Sequence, residues 1–128
     1  MEKQVINIPP IVLEWSDWTP WDNLKIDARH GGGVKVPSGV SGVYEAKYRD
    51  SEERLHIGET DNLRQRVKDG LVKGTIPHKA GIEIRDRKEV SKIVVRWAIT
   101  DRRFVAQAAL HEWHKERFGK FPKHTKRT

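Results

Sequence analysis

Residues 41–58 constrain the fold of this chain more than any other stretch. Val43, Glu45 and Lys47 alternate with Tyr44, Ala46 and Tyr48, which is the period-two pattern of a strand. Arg49, Asp50, Ser51 and Glu52 make a polar turn. Leu55 and Ile57 then continue on a second strand, so 41–58 reads as a β-hairpin. Thr60 or Asp61 is a suitable N-cap for a helix from Asn62 to about Lys73, with Leu63, Val67 and Leu71 on one stripe. Gly74 and Pro77 end it. A short helix fits residues His78 to Arg87. The β-branched, apolar run Lys92 to Ile99 is a buried third strand. Thr100 or Asp101 caps a long helix to about Phe118, and Gly119 closes it. The sum is an α+β fold, a small three-stranded antiparallel sheet flanked by helices.

Residues 1–37 read as an N-terminal extension packing on the body, and residues 38–128 as one domain with a basic C-terminal tail. The extension carries Trp15, Trp18 and Trp21. Their period of three fits one turn of helix starting at Ser16 or Asp17, which Pro20 limits. The rings either pack across the core as a lid or offer stacking faces to bases. Gly31, Gly32 and Gly33 follow no strand at dinucleotide spacing, so they read as a joint rather than a phosphate loop.

With 128 residues and no cysteine, the chain has neither a disulfide framework nor a thiolate zinc site. It holds no apolar run near the roughly 20 residues that cross a bilayer, so no membrane partner is expected. Its start lacks an apolar signal core, and the expected location is cytoplasmic. The net charge of +7 is uneven. Residues 1–40 carry four Lys/Arg against five Asp/Glu, and residues 41–128 carry 21 against 13. A basic body of this kind attracts polyanions, although a solvated lysine-rich surface has the same composition.

Tyr44 shares a strand face with Ala46 and Tyr48, and His56 on the paired strand can reach the same region. Arg66 lies on the helix that follows, and its guanidinium can grip a phosphate with two parallel hydrogen bonds. Arg64 points about 200° away round that helix and cannot face the same site. Arg64, Lys73, His78, Lys79, Lys123, Lys126 and Arg127 are candidates for tracking a nucleic-acid backbone.

The triplets GVY (42–44) and HIG (56–58), with the segment ETDNLRQRV of residues 59–67, resemble the GIY-YIG nuclease superfamily. The resemblance covers roughly residues 38–125. It implies a three-stranded sheet with surrounding helices and hydrolysis of DNA phosphodiesters with one divalent metal, Mg²⁺ or Mn²⁺. It implies that Tyr44 activates or orients the attacking water and that His56 replaces the second motif tyrosine. Arg66 would match the arginine that steadies the scissile phosphate. Two positions depart from the pattern: Glu59 stands where a lysine is common, and Thr125 where an asparagine is usual.

The larger departure is Gln107, which falls at the position of the glutamate that binds the metal in that superfamily. Glutamine supplies one neutral carbonyl oxygen, a poor ligand for a hard cation. Glu112 lies about 140° and Glu116 about 180° round the helix from it, so neither can substitute. The alternatives are a chain that binds DNA without cutting well, a substitution introduced to trap a substrate complex, or a different registration of this helix on the family pattern. Gln107, His111 and His114 share one helix face and either form a metal or phosphate site facing Tyr44 or line a polar core edge.

Three functions are therefore in play. The first is a metal-dependent DNA endonuclease, disarmed here if Gln107 sits at the metal position. The second is a non-catalytic nucleic-acid-binding module on the same fold. The third is a protein-interaction domain that uses the tryptophan segment. A single site nicks one strand, so a double-strand break needs a homodimer or two visits by a monomer.

Overall fold

A computed structural model describes residues 4, 10–26, 34–87 and 89–124. The predicted hairpin forms as β2 (Gly42–Tyr48) and β3 (Arg54–Thr60), paired antiparallel. The apolar run becomes β4 (Ile93–Ile99), antiparallel to β2 on its other side. The sheet has four strands, not three. Thr19–Pro20, here β1, pairs with Val95 and Val94 of β4, giving the order β1-β4-β2-β3. Proline suits this place because its missing N–H costs nothing on an edge strand.

The tryptophan segment differs from expectation for the same reason. Its helical turn is α1 (Trp21–Leu24), which starts after Pro20 rather than before it. Proline fixes φ near the helical value and favours a helix start. Trp21 and Leu24 are fully buried in the main core with Tyr44, Ala46, Leu63, Val67, Leu71 and Trp97. Trp15 and Trp18 instead clamp Arg96, whose guanidinium carbon lies 4.0 Å and 4.4 Å from their ring centroids. Arg96 Nε and Nη2 both lie 2.7 Å from Glu45 Oε1, a carboxylate with no exposure to solvent. These two rings therefore act as a lid over a buried ion pair. The triple-glycine joint lies outside the described residues.

After β3 the chain turns on Asn62, whose Oδ1 accepts the Gln65 N–H at 3.4 Å, so the cap is Asn62 rather than Thr60 or Asp61. Leu63, Val67 and Leu71 are all fully buried, as their spacing predicts. The segment nevertheless winds as a π-helix, Gln65–Val72, and Lys73 N–H bonds back five residues to Lys68 C=O at 2.8 Å. Such winding is uncommon and tends to mark functional sites. Gly74, at φ 74°, turns the chain out of it. The last carbonyls of this helix are taken up by Arg85 of α2 (Lys79–Arg87), whose Nη1 donates to Gly70 O at 2.9 Å and Leu71 O at 2.7 Å. That contact ties α2 to the helix that carries Arg66.

The long helix α3 (Arg103–Phe118) ends on Gly119 at φ 76°, as predicted. Its N-cap is Arg102, one residue past Asp101 and two past Thr100, and Thr100 Oγ1 accepts the Arg102 N–H at 3.1 Å in the turn before the helix. The helix lies along β3, the edge strand, and three backbone groups of β3 find partners on it or on the segment that follows it. His114 Nε2 accepts the Arg54 N–H at 3.1 Å, and His111 Nε2–H donates to Ile57 C=O at 3.2 Å. Leu55 C=O accepts the His124 N–H at 2.8 Å. His111 and His114 thus cover a sheet edge that would otherwise expose unpaired groups, and they do not face Tyr44 as a metal site. No helix among the described residues is long and apolar enough to cross a membrane.

Candidate active site

Tyr44, His56, Arg66 and Gln107 come from β2, β3, the π-helix and α3, and all four line one cleft of about 500 Å³. Pleating places the first two. Tyr44 pairs across the sheet with Gly58, and His56 pairs with Ala46, so the phenol and imidazole are diagonal neighbours on one face. Tyr44 is 1% exposed, yet it is one of the residues that line the cleft. Arg66 faces the cleft from the π-helix, and Arg64 is not among the lining residues. Glu59 lines the cleft too, held by Arg103 at 2.8 Å. Glu112 and Glu116 are on the exposed side of α3, as the helical angles require.

Hydrogen bonds around Tyr44 run in one direction. His78 sits at the cap of α2, and its Nδ1 accepts the Gly81 N–H at 2.9 Å. The proton of a neutral His78 is therefore on Nε2, 2.8 Å from Tyr44 Oη. His56 Nδ1 lies 3.1 Å from His124 C=O, which can only accept, so His56 carries its proton on Nδ1 and a lone pair on Nε2. That Nε2 lies 3.1 Å from Tyr44 Oη. His78 donates to Tyr44, Tyr44 donates to His56, and His56 donates to a backbone carbonyl.

Burial sets the charge state of this chain. It pushes the Tyr44 phenol up to about 12, against the pull of the neighbouring Arg66 guanidinium. It also pushes His56 down to about 3, helped by His78, and His78 down to about 4, helped by Arg66 and Arg85. All three groups are neutral at pH 7. A neutral phenol so placed is a proton relay rather than a standing base. It can take a proton on its oxygen while passing its own to His56 Nε2.

His78, a candidate nucleic-acid contact, is buried beside Tyr44 and lines the cleft with it. Its sequence signal is a histidine just before a short helix that follows the arginine helix. Lys79 and Lys123, two other candidate nucleic-acid contacts, line the cleft. Arg64 and Lys73 do not, and Lys126, Arg127 and Thr125 lie outside the described residues.

The donor set does not fit a resident Mg²⁺ or Mn²⁺. Gln107 brings a neutral amide, and Glu59 and Glu83 are engaged by Arg103 and by His124 at 2.9 Å. Among the described residues no three His, Cys, Asp or Glu side chains come together as a metal site. Arg66, Lys79 and Lys123 bring positive charge to the cleft, around the neutral imidazoles of His56 and His78 and beside the paired carboxylates of Glu59 and Glu83.

Comparison with protein-family models, curated proteins and solved structures finds no match.

Proposed function

We propose that this chain is a DNA-directed phosphodiesterase domain of the GIY-YIG type, an endonuclease in design, with its metal position left short by Gln107. The observation that carries this reading is the convergence of Tyr44, His56, Arg66 and Gln107, from four separate elements, on one cleft. Arg66 grips the scissile phosphate. With the phosphate bound, its negative charge offsets the burial and cationic neighbours that hold His56 neutral, and a water held at Tyr44 Oη gives up its proton as the phenol passes its own to His56 Nε2. The new P–O bond forms as the bond to the departing oxygen breaks, and the nearby ammonium groups of Lys79 or Lys123 protonate that oxygen. A cytoplasmic location goes with this substrate.

The second reading, a binding module without turnover, is favoured by one observation, the neutral amide at position 107. Plasmid nicking in Mg²⁺ or Mn²⁺ by the chain and by Gln107→Glu separates the two. Cleavage by the glutamate form, with little by the chain itself, supports a disarmed nuclease. Binding with no cleavage by either form supports the module.

A further inference from the structure

The α3 stripe that covers the β3 edge does not stop where the sheet stops. His114 meets Arg54, and His111 meets Ile57, so the helix runs antiparallel to the strand. One turn nearer the helix start, Gln107 reaches the cleft. One turn nearer still is Phe104, which is 62% exposed. A phenylalanine left this open at a helix start is not held there by the core.

The ring is nevertheless held in place. The Arg103 guanidinium carbon lies 4.5 Å from its centroid, and Arg103 Nε is bonded to the cleft residue Glu59 at 2.8 Å. One face of the ring is backed by a guanidinium bonded to a cleft residue, and the ring, largely open to solvent, stands one helical turn from the lining residue Gln107 without itself lining the cleft. Such an arrangement suits a flat π-face adjoining an anion, which is what a nucleotide presents.

We propose that Phe104 is a base-stacking platform for the nucleotide next to the phosphate held in the cleft, so that the preferred ligand has an unpaired base at that position. This rests on the nucleic-acid reading above and narrows its substrate to single-stranded or splayed strands. The bases of DNA and RNA share the stacking chemistry, and separate probes distinguish the two sources.

The test is fluorescence anisotropy at fixed salt with labelled single-stranded DNA, single-stranded RNA and duplex DNA. Because the ring is exposed, Phe104→Ala leaves the fold intact. The expected result is tighter binding of a single strand than of duplex, and a loss of about tenfold for the single strand in Phe104→Ala, on the scale of one base–aromatic stack. Duplex binding is little changed, and Phe104→Trp retains the preference. The single strand that shows the loss identifies the source. Unchanged single-strand affinity in Phe104→Ala, equal loss on all three probes, or a duplex preference in the parent chain overturns the proposal while leaving nucleic-acid binding standing. Absence of salt-dependent binding to any probe overturns the nucleic-acid reading, and this proposal with it.

Discussion

Tyr44 and Gly58 face each other directly across the β2–β3 pair, and the phenol lies in the space that a side chain at 58 would fill. A Cβ on Gly58 would collide with the Tyr44 hydroxyl and come within 2.8 Å of His56 Nε2. The glycine of the HIG triplet is thus a requirement of the relay.

Gly58→Ala is therefore expected to push the phenol off His56. Overpacking of this kind costs about 1–3 kcal/mol. Denaturant unfolding measures that loss, and a fall in the phenol titration from about 12 toward an ordinary tyrosine, followed by absorbance, reports the displaced ring. An alanine variant with parent stability and an unchanged phenol would mean that the two residues do not compete for this space.

The direction of the relay can be read from nitrogen shifts. Two-dimensional ¹H–¹⁵N spectra at neutral pH should show His56 protonated on Nδ1 and His78 on Nε2, each fixed by its backbone partner. His56 found with its proton on Nε2 would leave Tyr44 no acceptor and break the proposed path.

Acid should destabilise the fold through the same imidazoles. Both are depressed on folding from 6.5, to about 3 for His56 and about 4 for His78. A depressed folded-state value contributes stability that is present above 6.5 and lost as pH falls toward 4 and 3. At about 1.4 kcal/mol per pKa unit, the two together weaken the fold by roughly 3 to 6 kcal/mol at pH 4. In the other direction Tyr44, raised from 10.0, costs stability as pH climbs from 10 to 12. Urea midpoints across pH 4–7 test the acid limb. A flat profile would show that the histidines are not buried neutral.

Much of this architecture was legible because it rests on local patterns. Alternation at 43–48 and the apolar run at 93–99 gave the central strands, and Leu63, Val67 and Leu71 gave the buried stripe of their helix. The four cleft residues were named by the motifs, and their convergence is a tertiary fact that the structure supplies. The remaining features are non-local. Two residues of β1 form a strand only because β4 offers an edge. His111 and His114 have metal-like spacing, yet they pair with β3 backbone groups more than fifty residues away in sequence. His78 has no local pattern that ties it to Tyr44; packing of α2 on the π-helix brings the two together. No single-sequence period signals π winding, because the buried stripe also fits ordinary helical spacing.

The claim that the cleft grips a phosphodiester is tested most directly by DNA affinity across a salt series, for the chain and for Arg66→Ala. The account predicts salt-dependent binding by the parent and a weaker affinity with a shallower salt slope in the variant, since one phosphate contact is gone. Parent-like affinity and slope in Arg66→Ala, or no binding by either protein, would contradict it.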